Sequence, residues 1–162
     1  MTDLAASTSR HSPIIVLVER AIGLLDRVPY WFLALPLRVG AAAVFWLSAQ
    51  AHLANWDTTI EQFTEDYKVP LLPSDIAAYM AVSIEVTTPI LLVAGLLTRF
   101  AALVLLGMTT VIEVFVYPQA WPTHIQWAAM LLVLLCRGAG RFSIDHLVWR
   151  HVAGRGGTPP SA

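Results

Sequence analysis

The sequence is poor in cysteine and in charge. Cys136 is its one cysteine, and Asp, Glu, Lys and Arg make up only 13% of its 162 residues. A single thiol excludes an intrachain disulfide and any CxxC dithiol chemistry. That removes disulfide-built secreted domains and the thiol-disulfide oxidoreductases of the membrane. Soluble domains carry roughly 25% charged residues, so the polar surface here is too small to coat a water-soluble globule of this size. Ten basic residues stand against eleven acidic ones with no dense basic patch, which leaves no footprint for nucleic acid. Strand alternation, internal repeats and a second domain are missing. So are a phosphate loop, a dinucleotide fingerprint, a nucleophile elbow and a haem-attachment sequence, and catalysis of the soluble type is unsupported.

What the chain has in abundance is apolar surface: 57% of it is hydrophobic and its mean hydropathy is +0.65. At ~20 residues per crossing it has room for about four membrane helices. Four helix-period apolar segments are present, at about Tyr30 to Leu53, Ile76 to Leu97, Phe100 to Val116 and Trp121 to Cys136. They predict an all-α fold, an integral membrane four-helix bundle. Residues 1–12 read as a disordered polar tail. From 13 to 28, Ile14, Leu17, Val18, Ala21, Leu24, Leu25 and Val28 lie opposite Glu19, Arg20, Asp26 and Arg27, the pattern of an interfacial amphipathic helix. A signal peptide is the competing reading, but Glu19-Arg20 interrupts the apolar stretch and no small-residue cleavage site comes after it. Residues 13–152 thus form one membrane domain, ending in a short amphipathic helix from Ser143 to Val152, and 153–162 form a flexible end.

With four crossings, Arg10, Arg20, Arg27, Arg99, Arg137, Arg141, Arg150 and Arg155 fall on one side and only Lys68 on the other. Both termini are therefore expected to face the cytoplasm. The loop from Ala54 to Asp75 lies outside. It is acidic, and Trp56, Phe63, Tyr67 and its prolines predict a folded cap on the bilayer interface.

Ionisable side chains at bilayer depth cost ~2.5 kcal/mol or more and call for a partner or a purpose. Arg38, Glu85 and Glu113 are of this kind. Arg38, Ala41, Phe45, Ser48 and His52 recur at spacings of three and four, as do Ala78, Ala81, Glu85 and Thr88; Glu113 shares a face with Thr109 and Thr110. Small residues on these stripes mark the seams of the bundle. Depth along the helices predicts an outer cluster of His52, Glu113 and His124, with Glu85 and Arg38 beneath it. Such a cluster suits a quinone head group, a proton relay or a metal, since two imidazoles and a carboxylate fit Zn, Fe or Cu. The plainer reading pairs Arg38 with Glu85 as a structural ion bridge and leaves His52 and His124 as ordinary interface residues. Met80, Met108 and Met130 read as packing, and Cys136 as a reduced, inert thiol. Trp46 and Trp127 sit deeper than the other tryptophans and are candidates to line a cavity.

The segment Glu85-Val86-Thr87-Thr88-Pro89, continuing through Gly95-Leu96-Leu97-Thr98-Arg99, together with Arg38, Phe45 and Ser48 and with Gly138-Ala139-Gly140-Arg141-Phe142-Ser143-Ile144-Asp145, resembles the DoxX family of small bacterial membrane proteins over about Leu33 to Val148. His52 stands where many members have Lys. The resemblance implies a four-helix bacterial inner-membrane protein. Members are associated with membrane redox systems, including a subunit of a thiosulfate:quinone oxidoreductase, and with complexes handling oxidative stress. Many have no assigned activity, and the cofactor stays open between a quinone, a metal and none. Glu65 to Pro73 and Val116 to His124 are similar to members encoded beside modified copper-binding peptides and their maturation enzymes. That likeness implies redox or peptide-maturation partner proteins, or a non-catalytic scaffold or small transporter in copper homeostasis. A homo-oligomer is also open.

Overall fold

A computed structural model of the chain describes residues 12–70 and 72–153. The expected tails over 1–11 and 154–162 lie outside the described residues. Every regular element among the described residues is helical: α1 (Pro13–Leu25), α2 (Tyr30–Ala54), α3 (Trp56–Gln62) running into a π-helical turn (Phe63–Tyr67), α4 (Ser74–Ala94), α5 (Thr98–Val111) continued by a second π-helical turn (Ile112–Val116), a 3-10 turn (Pro118–Ala120), α6 (Trp121–Arg137) and α7 (Ile144–Ala153). Three of them, α2, α4 and Thr98–Val116, are long and apolar enough to cross a membrane. The segments expected from hydropathy are all helical, with ends moved by a few residues.

The described residues divide into two units, one up to Tyr30 and one from Trp31. The first is α1. Pro13 sits in its opening turn, where a missing N–H costs nothing, and the chain leaves through Asp26, whose amide donates to the Ile22 carbonyl at 2.9 Å. None of its side chains is buried.

The second unit has one main core, to which α2 contributes Ala41, Ala42 and Phe45, α4 Leu92, α5 Ala101, Ala102 and Leu105, and α6 Leu131 and Leu134. Ala101 and Ala102 on α5 let its backbone come close to that of α6. A second cluster of Phe63, Ala77 and Ala78, with Trp56, Ile60 and Tyr67 against it, seats α3 and its π turn on the start of α4. The expected cap is therefore a folded structure. Asn55 opens it by accepting the Thr58 amide at 3.2 Å.

The end of α4 departs from expectation. The helix stops at Ala94, three residues before Leu97. Gly95, at φ +67°, takes the left-handed conformation, the Leu96 amide reaches back to the Leu91 carbonyl at 2.9 Å, and the Gly95 amide reaches Leu92 at 3.1 Å. This is a Schellman ending, and Gly95 was the signal for it in the sequence. Leu97 is also left-handed, at φ +49°. The Asp145 carboxylate holds it there, accepting the Leu97 amide at 2.7 Å and the Thr98 amide at 3.0 Å and so capping α5. In return the Asp145 amide donates to the Gly95 carbonyl at 2.9 Å. Ser143 caps α7, accepting the His146 amide at 3.2 Å.

A Cβ built on Gly95 would lie 2.6 Å from Ser143 Cβ and 2.7 Å from Arg38 Nη2, whereas one on Gly107 meets nothing within 4 Å. Left-handed strain and the clash together predict that Gly95→Ala destabilises the fold by about 2–4 kcal/mol. Gly107→Ala should be near neutral. Thermal unfolding of the two variants in detergent checks the pair, and equal midpoints would contradict this account of the turn.

Candidate functional site

Arg38 lies toward one end of the second unit, Glu113 and His124 toward the other, and Glu85 at the middle of α4. Arg38 lies eight residues into α2, about 12 Å from its start, and only 3% of it is exposed. Its guanidinium donates through Nε to the Leu92 carbonyl at 2.7 Å and through Nη1 to Phe142 at 2.7 Å and Ala139 at 3.3 Å, and it bonds the Val93 carbonyl through Nη2. Leu92 and Val93 belong to the last turn of α4, at the negative end of its helix dipole, and the Leu92 carbonyl accepts the Gly95 amide as well as Arg38. Ala139 and Phe142 belong to the connection from α6 to α7. One side chain thus ties three segments together.

The ion bridge between Arg38 and Glu85 does not form. Glu85 sits two turns away on α4, about 10 Å along its axis, and is 2% exposed. The Ser48 hydroxyl donates to its Oε1 at 2.8 Å, and His52 Nδ1 meets its Oε2 at 2.9 Å. These are the polar members of the stripe read on α2, and α4 turns Glu85 toward them. Pro89, one turn on, lacks the amide that would have bonded the Glu85 carbonyl.

Glu113 forms a second pair. His124 Nδ1 lies 2.5 Å from its Oε2; the imidazole is nearly buried, while the carboxylate is 32% exposed. Of the expected cluster of His52, Glu113 and His124, the structure pairs Glu113 with His124, and it pairs His52 with Glu85. Each carboxylate is taken by its own imidazole, and no three His, Cys, Asp or Glu side chains among the described residues are placed to hold a metal ion. In both pairs Nδ1 faces the carboxylate, and Nε2 makes no hydrogen bond among the described residues.

Both pairs stand beside π-helical turns, irregularities that are frequent at functional sites. The turn after α3 supplies Phe63 and Tyr67, whose rings lie 5.9 and 6.5 Å from the His52 ring. The turn after α5 carries Glu113 itself. Thr59 of α3 donates to the His52 carbonyl at 2.7 Å, fixing the cap to the last turn of α2. Tyr67 meets Tyr117 edge to face at 5.7 Å. Burial pushes the Tyr67 phenol well above its ordinary range; Tyr117, through charge and hydrogen bonding, and then the Glu85 charge add to the shift, so Tyr67 stays protonated. Ser48 was on the stripe read from the sequence but had no assigned role. The cap aromatics had no signal tying them to His52, because that contact depends on how the connection folds.

Between α2 and α4 an almost wholly apolar groove of about 500 Å³ is lined by Val39, Ala42, Ala43, Trp46, Pro89 and Ile90. Trp46 thus lines a cavity as expected. Trp127 instead stacks in the interior, 5.7 Å from Phe45 and 5.0 Å from the His124 ring.

Residues 33–118 match the sequence model of the DoxX family. An uncharacterized protein of Haemophilus influenzae is 30% identical over 105 residues, covering 58% of this chain and 67% of that protein. No solved structure matches. The match spans more than half of the chain and takes in Arg38, Ser48, His52, Glu85 and Glu113, and the apolar helices that carry them place the protein in a lipid bilayer: the chain belongs to the DoxX family of membrane proteins.

Proposed function

We propose that this protein crosses the bacterial inner membrane four times and serves as the membrane subunit of a redox system, handling protons at Glu85–His52 and Glu113–His124 in the outer half of the bilayer. The fourth crossing is α6, whose 17 residues meet the lower bound of ~17–25 for a spanning helix and which shares the core of the other three. Arg99, Arg137, Arg141 and Arg150 gather at the end that holds Arg38, and Lys68 stands at the other. By the positive-inside rule the arginine end and both termini face the cytoplasm. In this reading α1, apolar on one side and unburied, lies in the interface.

The observation that carries the functional reading is the pairing of each outer carboxylate with an imidazole. With the imidazole neutral, its Nδ1–H donates to the carboxylate and the pair carries one negative charge. A proton added at Nε2 makes the pair neutral overall without disturbing that hydrogen bond. Such a pair accepts and returns a proton at membrane depth, where a lone charge is costly. Glu113, the more exposed carboxylate, is the point of exchange, and Glu85, closed under Phe63 and Tyr67, is the reservoir.

The redox partner implied by the family is a quinone, and the residues present fit one. The apolar groove suits an isoprenoid tail and reaches Pro89, one turn from Glu85 on the same face of α4. A bound quinone would supply the electron exchange. The chain's own part is to hold the tail between α2 and α4 and to give or take protons at the two imidazole pairs.

Purified protein titrated with decylubiquinone should show a saturable change in Trp fluorescence. Glu113→Gln should weaken it by about tenfold, the effect of one charge-assisted hydrogen bond, while the variant still inserts. A flat titration of the native protein overturns the redox reading and leaves a scaffold or transporter. Topology is tested separately in a Cys136→Ser background. A membrane-impermeant maleimide should label Glu65→Cys in intact spheroplasts and Arg27→Cys only after permeabilisation; the reverse pattern would refute the orientation.

A further inference from the structure

The last helix has a face that no other described residue covers. Ile144, Leu147, Val148 and His151 obey the i, i+3, i+4, i+7 spacing of one side of α7, and Ile144, Leu147 and Val148 are all exposed, as are Phe142 and Trp149 nearby. Asp145 and His146, on the opposite side, are the half-buried residues that face the rest of the unit.

The root of α7 is fixed at the edge of the bilayer. The Asp145 amide bonds the Gly95 carbonyl, and its carboxylate bonds the Leu97 and Thr98 amides, so the first turn sits in the connection between two membrane-spanning helices. From there α7 extends ten residues, about 15 Å.

The charge around this root has one sign. Residues 94–101 and 133–151 contain Arg99, Arg137, Arg141 and Arg150, and their one acid is Asp145. That carboxylate is already committed to two backbone amides. Arg99 donates to the Cys136 carbonyl at 3.3 Å, which places the end of α6 at the same level.

From the exposed apolar face, its anchorage at the membrane boundary and this surplus of positive charge we infer that α7 docks flat on a bilayer surface containing anionic phospholipid, with Ile144, Leu147 and Val148 in the acyl boundary and Arg141 and Arg150 on the headgroup phosphates. An isolated basic amphipathic helix of this length binds weakly; the Asp145 clamp removes most of the entropy of bringing it to the surface.

The test uses the full chain in nanodiscs, one set of pure phosphatidylcholine and one with about a third phosphatidylglycerol. Both leaflets of a disc are alike, so the result does not depend on the orientation or the redox role proposed above. Amide hydrogen exchange in α7 should be slower in the anionic discs, by about fivefold for each arginine engaged, while exchange in α3 stays the same. Arg141→Glu with Arg150→Glu should abolish the difference, and so should high salt. Equal exchange in the two sets of discs overturns the inference. So does protection that survives the double charge reversal, or protection that rises with the number of protein copies per disc, which would assign the face to a second copy.

Discussion

A guanidinium placed deep in an apolar bundle has to find acceptors, and the fold of this protein is organised around the ones Arg38 finds. Hydrogen bonds from a charged group contribute about 1.5–3 kcal/mol each when formed, and leaving such a donor buried without a partner costs at least as much. Arg38 uses two carbonyls of the last turn of α4, those of Leu92 and Val93, and two more from the connection between α6 and α7. For these to converge, α4 must end at Ala94, Gly95 must turn without a side chain, and the α6–α7 connection must fold back over the start of α2. There Gly140, left-handed at φ +78°, comes within 3.0 Å of the Trp31 backbone once a Cβ is imagined on it. Phe142 meets the Trp31 ring at 4.7 Å, and Asp145 secures the start of α5. The motif residues that carry the family resemblance at Gly95 to Arg99 and at Gly138 to Asp145 are thus two sides of one structural joint.

The carboxylates obey the same constraint with a different outcome. Glu85 and Glu113 cannot reach the arginine, so each is satisfied locally, by Ser48 and His52 in one case and by His124 in the other. A carboxylate held by an imidazole differs in kind from a guanidinium held by carbonyls. The guanidinium cannot lose its proton, and its bonded carbonyls cannot accept one. The imidazole keeps a second nitrogen whose state can change while the first bond persists.

The helices and the charged residues inside them were legible in the sequence because both depend on local properties, apolar period and the cost of burying charge. The stripes were legible too: Ser48 and His52 on one face of α2 do meet the face of α4 that bears Glu85. The partners were harder to read. Residue spacing gives the face of a helix but not its rotation against a neighbour, and Arg38 could be matched with Glu85 only because carbonyl acceptors leave no mark in a sequence. The two π-helical turns were equally silent. Glu113 lies inside one of them and Tyr67 closes the other, so the direction each side chain takes, toward His124 and toward the His52 ring, follows from turns that helix periodicity does not predict. Gly95 is the exception, a helix-stop signal that was present and that hydropathy alone overran by three residues.

The two ends also differ in what motion would cost. Moving the α4–α5 turn would break the Arg38 bonds, the Asp145 cap and the Ser143 contact together, because these share residues and fail as one unit. The end bearing the imidazole pairs is joined differently. The cap is held there by Thr59 and Asn55 and by aromatic edges on His52, contacts that can loosen one at a time. A joint whose bonds share residues at the Arg38 end, and a cap held by separate polar contacts and one small apolar cluster at the other, fit the role proposed for the imidazole pairs, in which the bundle stays closed while protons are exchanged beside the cap.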